Sequence, residues 1–314
     1  MKHTIYRTII LFSIVSIAGL SSCKKDQGPS QADIDDSKIS DYLQSNGITA
    51  TKDSRGFYYE KITENPNGTN VDTGMIVSFR YKISIMNGPV LEDLIAKDSS
   101  VLYRQGTGNM YPVGLDYGIG LMKTHEKYKF YIPSTLAYGT YSNTSFFQAN
   151  TIFVVEAVVD SVFSETDRFL FETDSIKNYL AQNQITDYEK FAPGLFIHQT
   201  LLGTGDIPFS GNSVTINFTR KTFSGTILYT TIGSNPVTFT LGTGAVIEGL
   251  DDGIRQMREG GKATLYIPSA LILGASVRVV PSGLMDDLYN EGHIGVNIPP
   301  YTPFIYEVEL VSIN

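Results

Sequence analysis

Apolar and polar residues alternate along several short segments of the chain, and these segments occur in two sets. Residues 75–85 (MIVSFRYKISI) and 213–223 (SVTINFTRKTF) alternate with a period of two, which is typical of strands with one buried face. The segments KYKFYIP and KATLYIP alternate in the same way, and a proline ends each of them. Each set closes with an apolar segment, at 151–159 and 304–311, so several strands are expected in each half of the chain.

Two further segments have the helical period instead. Their apolar residues lie three or four positions apart and share one helical face; they are Leu115, Ile119 and Met122, and then Leu250, Ile254 and Met257. Short amphipathic helices are also predicted at 39–43 and 176–180, with Ser37 and Asp174 or Ser175 as N-caps. Strands around one central helix, joined by glycine-rich turns, predict an α+β module with a largely antiparallel sheet.

The two sets are copies of one module, because individual residues recur in the same order at a spacing of about 137. GTG at 106–108 recurs at 242–244, and IPS at 132–134 recurs at 267–269. A period of this length indicates duplicated domains rather than a solenoid. The predicted domains are residues 36–163 and 171–314, with the boundary near 164–172.

The N-terminus has the pattern of an export signal. Lys2 and Arg7 precede an apolar run that is short for a membrane span, and small residues follow it. The sequence GLSSC resembles the bacterial lipobox, in which the cysteine is lipidated and becomes the first residue. We therefore predict a signal peptide at 1–22, a lipidated Cys23, and a flexible tether at 23–35 with Asp35 solvated.

These features predict that the protein lies outside the cytoplasm. It is expected to be an exported lipoprotein on the periplasmic or cell-surface side of a membrane, to which its acyl chains hold it. The alternative is an ordinary signal peptide followed by an unrelated cysteine.

Charge and ligand content argue against several classes of function. The formal net charge is −8, and removal of residues 1–22 takes away two basic and no acidic residues, which leaves −10. Nucleic acid is therefore not an expected partner, because it needs a concentrated basic face. Cys23 is the single cysteine and the histidines are scattered, so neither a disulfide nor a metal site is predicted. Ser134 and Ser269 have no histidine nearby in sequence, which argues against a hydrolytic triad.

The order of motifs in the second copy resembles that of the FKBP-type peptidyl-prolyl cis-trans isomerases. The motifs are VIEGLDDGIRQM, GGKATLYIPS, a loop, and NIPPYTPFIYEVELVS; the first copy repeats them as VGLDYGIGLM, KYKFYIPSTLAYG and ANTIFVVEAVV. The leading helix is similar to that of exported bacterial members. The resemblance implies two tandem FKBP-like domains, each a mostly antiparallel sheet wrapped around a short helix. In each domain an apolar pocket for proline is expected between the sheet and the helix.

The resemblance also implies catalysis without a nucleophile, a cofactor or a metal. The barrier is rotation about a C–N bond with partial double-bond character. An apolar pocket weakens the imide resonance by removing water, and a site that binds the twisted form better than the planar forms lowers the barrier. A backbone N–H holds the neighbouring carbonyl.

Each copy keeps a different part of the pocket that the resemblance implies. The expected catalytic residues are Tyr81, Glu92, Tyr138, Ile247 and Tyr306. The expected substrate-binding residues are Leu91, Val101, Leu115 and Val154 in the first copy, and Phe218, Leu228, Tyr229, Val237, Val246, Leu250, Leu273 and Ile298 in the second.

Three positions distinguish the copies further. Ile247 is the expected carbonyl donor, whereas the first copy has Pro112, which has no N–H, at or near that position. Val154 and Tyr306 are assigned to the closing aromatic position of the family. The second copy also has a longer insertion, residues 275–297, next to its pocket.

These observations favour a membrane-tethered prolyl isomerase that helps exported proteins to fold, since proline isomerisation is a slow step in folding. Its expected partners are unfolded or nascent exported polypeptides that contain proline. The substitutions in both pockets leave open a catalytically inactive chaperone or peptide-binding module. A rigid scaffold that spaces partners from the membrane is the third alternative.

Overall fold

The computed structural model describes residues 28–232 and 235–314, so the predicted signal peptide and Cys23 lie outside the described residues. The first half contains α1 (Gln31–Ser45), β1 (Thr51–Lys52), β2 (Tyr58–Thr63), β3 (Ile76–Ile85), β4 (Val90–Asp93), β5 (Val101–Arg104), α2 (Val113–Ile119), β6 (Lys127–Ile132) and β7 (Phe153–Phe163). The second contains α3 (Glu165–Gln182), β8 (Glu189–Phe191), β9 (Leu195–Leu201), β10 (Ser213–Lys221), β11 (Ile227–Thr230), β12 (Val237–Thr240), α4 (Glu248–Ile254), β13 (Lys262–Ile267), α5 (Ser282–Asn290) and β14 (Phe304–Ile313). Within the described ranges, no helix has the length and apolarity to cross a membrane.

Each half forms one seven-stranded sheet, and all the strand pairs are antiparallel. The first sheet has the order β1-β2-β6-β7-β3-β4, with β5 also paired to β3. The second has the equivalent order β8-β9-β13-β14-β10-β11, with β12 paired to β10. The predicted α+β fold of two tandem domains, each with an antiparallel sheet, is therefore confirmed.

Helix α1 begins earlier than the sequence pattern predicts. Its N-cap is Ser30, in a capping box with Asp33, and the predicted cap Ser37 lies inside the helix. The first domain thus begins at Gln31 rather than at residue 36. The prediction of a solvated tether at this point was wrong, because Asp35 is fully buried.

Helix α3 shows the same shift. Ser164 caps it together with Asp167, so the predicted caps Asp174 and Ser175 lie within the helix. The second domain therefore begins at Glu165 rather than at residue 171. In both helices the apolar periodicity marks only the turns that pack on the sheet, and the polar first turns give no such signal.

Successive side chains of a strand point to opposite faces of the sheet, and in each domain helices and apolar cores lie on both faces. One face carries the central helix, α2 or α4, and the main core of the domain. The other face carries the leading helix, α1 or α3, and a smaller core. The smaller cores consist of Ile39, Leu43, Tyr131, Ile152 and Val154, and of Ile176, Leu180, Phe196, Tyr266 and Ile305.

The repeated GLD-x-G motif brings the central helix close to the sheet and braces the loop before it. A Cβ on Gly253 would lie 2.4 Å from Leu265 Cδ1, so glycine permits an approach that a larger residue would prevent. The buried Asp251 carboxylate accepts a hydrogen bond of 2.8 Å from the Gly242 N–H, in the GTG turn. Asp116 does the same in the first domain.

A buried carboxylate on each leading helix anchors the IPS turn. Asp35 accepts hydrogen bonds from the Ser134 N–H and hydroxyl at 2.8 and 2.6 Å. Glu172 accepts the equivalent bonds from Ser269 at 2.8 and 2.7 Å. In the first domain the IPS turn leads directly to Tyr138, so this contact positions the pocket rim relative to the leading helix.

Candidate functional site

Most of the expected pocket residues of the second domain converge between the sheet and α4. A cavity of about 240 Å³ lies beside the first turn of this helix. Its lining includes four residues expected from the sequence, which are Ile247, Leu273, Ile298 and Tyr306. The other lining residues are Arg220, Ile272, Tyr289, Gly295, Val296, Asn297 and Phe304.

Three aromatic rings form a continuous wall beside this cavity. The centroid of the Phe218 ring lies 5.5 Å from that of Tyr306 and 5.5 Å from that of Tyr229. Burial raises the pKa of Tyr306, although the neighbouring Arg220 opposes this shift. The phenol therefore stays protonated at neutral pH, and the wall is uncharged.

The remaining predicted residues of the second pocket fall into two groups. Leu250 is 3% exposed in the core below the pocket, and Val237 and Val246 pack against the same core. Leu228, in contrast, is 39% exposed and does not line the cavity.

The backbone at Ile247 provides a hydrogen-bond donor next to the cavity. Ile247 is the N-cap of α4, with an extended backbone of φ −61° and ψ 146°. Its carbonyl accepts the first bonds of the helix, whereas its N–H finds no acceptor within ranges 28–232 and 235–314. This N–H is therefore available to a ligand carbonyl.

The first pocket contains a buried acid that the second lacks. The Tyr81 hydroxyl donates a hydrogen bond to the Glu92 carboxylate, and both side chains are buried. Burial, and then the charge of Glu92, raise the pKa of Tyr81 well above its usual value. Leu115 is 1% exposed in the core beneath, and Leu91 and Val101 pack against that core.

Tyr138 lies at the other side of the first pocket, among aromatic rings. Its ring centroid is 4.9 Å from that of Phe147 and 5.5 Å from that of Phe153. Burial raises the pKa of Tyr138, whose hydroxyl is buried without a hydrogen-bond partner among the described residues. The ring lines a residual cavity of about 180 Å³.

The carbonyl donor of the second pocket has no counterpart at the same position of the first. Pro112 is the N-cap of α2, with φ −67° and ψ 142°, and so matches Ile247 in conformation. Proline has no N–H to donate. The preceding residue, Tyr111, donates its N–H to the Val279 carbonyl at 2.9 Å, and Val279 belongs to the other domain.

The insertion at 275–297, which we call the inserted segment, contacts both pockets. As expected, it lines the second one, through residues such as Tyr289 and Val296. It also enters the first domain, where Val280, Leu284 and Leu288 are buried members of the main core. Sequence reasoning missed this role, although a surface loop has no need of so many apolar residues.

Val154 does not lie in the first pocket, so its assignment there was wrong. It packs on the opposite face of the sheet, against α1. The pairing of β6 with β7 and of β13 with β14 aligns Val154 with Ile305, which makes Val155 the counterpart of Tyr306. An offset of one residue moves a side chain to the other face of the strand, and Val155 is indeed buried in the main core.

Comparison with known proteins shows the family to which the two domains are similar. The family model for FKBP-type peptidyl-prolyl cis-trans isomerases matches residues 68–171 and 205–311. An FK506-binding protein of Neisseria meningitidis serogroup B is 36% identical over 121 residues, which cover 38% of this chain and 96% of that protein. The probable FKBP-type peptidyl-prolyl cis-trans isomerase FkpA of the same organism is 31% identical over 138 residues, which cover 43% of this chain and 44% of that protein.

A solved structure with three FKBP domains, from wheat FKBP73, aligns with 85% of this chain and 99% of its own, at 20% identity and a TM-score of 0.33. The family model matches a long segment of each domain, and the two matches together cover most of the chain. The chain belongs to the FKBP-type peptidyl-prolyl cis-trans isomerase family.

Proposed function

We propose that the protein is a peptidyl-prolyl cis-trans isomerase whose second domain carries the active site. The observation that supports this most directly is the Ile247 N–H, which lies beside a cavity with mostly apolar lining residues and has no acceptor within the described residues. The equivalent position of the first domain is Pro112, which cannot donate. The two domains therefore differ in the one polar group that this chemistry uses.

The proposed mechanism depends on burial and on one backbone donor. A proline ring in the cavity would contact the uncharged wall of Phe218 and Tyr306, which excludes water from the imide. The Ile247 N–H would hold the neighbouring carbonyl while the C–N bond rotates. Better binding of the twisted imide than of either planar form lowers the rotation barrier.

A binding module without turnover is the second candidate, and one observation favours it. Apolar side chains are exposed on β11, close to the second pocket: Ile227 is 59% and Tyr229 50% exposed. Such a surface suits an unfolded chain with apolar residues. The second domain would then hold clients by this surface and its pocket, without catalysis.

The proposal extends to where the protein acts. The expected clients are unfolded or nascent exported polypeptides that contain proline, and lipidation of Cys23 would hold the protein on a membrane. Helix α1 begins at Gln31, so the connection from Cys23 is short. At about 3.5 Å per extended residue it reaches only about 25–30 Å, which keeps the first domain close to the bilayer. Incorporation of labelled palmitate by the wild type and its loss in Cys23→Ala would test the anchor.

A substitution suggested by the first domain tests the active site. Ile247→Pro removes the N–H, and its φ of −61° already suits proline. We expect the chain from residue 24 to accelerate cis-trans exchange of an Ala-Leu-Pro-Phe peptide, measured by NMR. Ile247→Pro should lower kcat/KM by at least about tenfold, which corresponds to about 1.4 kcal/mol.

Ile247→Ala keeps the N–H and removes most of the side chain, so it measures the contribution of the side chain alone. Its kcat/KM should fall less than that of Ile247→Pro. Peptide signals that broaden without faster cis-trans exchange would show binding without catalysis, and would favour the binding module over the isomerase. Undiminished catalysis in folded Ile247→Pro would contradict the assignment of the active site.

A further inference from the structure

The pocket of the first domain is occupied by a piece of the second. Val279 forms a parallel bridge with Met110, at the entrance to α2. Its N–H donates to the Asn109 carbonyl at 2.7 Å, and its carbonyl accepts from the Tyr111 N–H at 2.9 Å. The inserted segment is therefore held beside Pro112 by the backbone of the first pocket itself.

The residues that follow Val279 enter the pocket and are fixed on its far side. Val280 is 4% exposed and Pro281 is also buried. Beyond the proline, the Ser282 N–H and hydroxyl both donate hydrogen bonds to the Glu92 carboxylate. The same carboxylate accepts the bond from Tyr81, so an expected catalytic pair of the first domain holds the chain's own serine.

Helix α5 completes the closure. Its residues Leu284 and Leu288 are buried in the core of the first domain. Gly283 lies so close to Phe146 that an added Cβ would be 3.2 Å from the ring. The Asn143 side-chain amide donates to Asp287 at 2.7 Å, which fixes the helix against the loop after Tyr138.

We infer that the inserted segment is an intramolecular ligand of the first pocket. Its Val-Val-Pro-Ser sequence offers what an FKBP-like pocket would take from a client: a buried proline, apolar residues before it, and a carbonyl held by a backbone N–H. The first domain thus recognises the second domain, and client prolines are excluded from the first pocket while the inserted segment is bound. This inference concerns the first domain only and does not depend on catalysis by the second.

Displacement of the segment tests the inference in the chain from residue 24. Val280→Asp places a carboxylate among the buried apolar side chains of the main core of the first domain, which favours release of the segment. The probe is the peptide acetyl-Val-Val-Pro-Ser-Gly-amide, followed through the methyl signals of Ile119 in the first domain and Ile254 in the second. We expect the peptide to bind the first domain of Val280→Asp at least about tenfold more tightly than that of the wild type. Asn290→Asp adds the same charge at the exposed end of α5 and should behave as the wild type.

Equal shifts of the Ile119 signal in the wild type and in Val280→Asp would overturn the inference, as would a folded Val280→Asp that binds no peptide there. Hydrogen exchange of the wild type covers the case in which Val280→Asp does not fold. The Tyr111 and Val279 amides should then exchange slowly and together, whereas exchange at the rate of an open loop would refute the bound state. Changes at Ile254 on addition of peptide report binding to the second pocket, so failure of the proposed active site remains distinguishable.

Discussion

Asp35 and Ser134 are 99 positions apart in the sequence and are joined by two hydrogen bonds, of 2.8 and 2.6 Å, in the interior of the first domain. Asp35→Ala leaves the Ser134 N–H and hydroxyl buried without this acceptor. We expect the free energy of unfolding to fall by about 3 kcal/mol, as measured by urea denaturation.

Asp41→Ala is the matched control, since this aspartate is exposed on the same helix. It should change the stability by less than about 0.5 kcal/mol. Equal effects of the two substitutions would show that the buried contact contributes nothing specific.

The close approach of α4 to its sheet predicts a penalty for any side chain at Gly253. Gly253→Ala would place a Cβ 2.4 Å from Cδ1 of the fully buried Leu265, so either this side chain or the helix must shift. We expect a loss of about 2 kcal/mol in thermal or urea denaturation. Gly295→Ala has nothing within 4 Å of the added Cβ and should be close to neutral. A neutral Gly253→Ala would mean that the packing is looser than described.

The closing position of the second pocket predicts how catalysis depends on ring size. Tyr306→Val reproduces the residue found at the equivalent position of the first domain, Val155. Loss of the ring should lower kcat/KM by about tenfold in the peptide exchange measurement, or about 1.4 kcal/mol. Tyr306→Phe keeps the ring, and its kcat/KM should fall by less than about twofold. A larger loss in Tyr306→Phe would assign the hydroxyl a direct role.

Stability at alkaline pH should depend on Tyr266, whose pKa is raised to about 12 by burial. An unfolded tyrosine ionises near pH 10, so the folded state disfavours the phenolate. The stabilising contribution is complete below about pH 10 and is lost as the pH rises towards 12. Tyr266→Phe should therefore lose less stability than the wild type between pH 10 and 12, in urea denaturation at fixed pH. Parallel curves for the two proteins would contradict this.

The fold was predictable because its determinants are local and repeated. Alternation marked the central strands, and the spacing of Leu250 and Ile254 marked the face of α4 that is buried, although the helix ends at Ile254 and the buried Met257 follows it. Because the chain is duplicated, each of these weak patterns occurs in both copies, and each copy supports the interpretation of the other. The polar first turns of α1 and α3 were missed because capping boxes leave no apolar period.

The pockets were less predictable, for two physical reasons. Val154 was misplaced because a strand reverses face at every residue, so a sequence offset of one residue is a complete error in orientation. The partner of Glu92 could not be found from local patterns, because Ser282 belongs to the other domain. Local patterns identify which residues can line a pocket, but not what fills it.

The filling of the first pocket also sets an order on folding. Ser282 and Glu92 are 190 positions apart, and the ribosome makes the N-terminal domain first. When the first domain emerges, the residues that complete its core have not yet been synthesised, and its apolar pocket is still open. The domain that is made first is therefore completed last, once the second domain supplies the inserted segment.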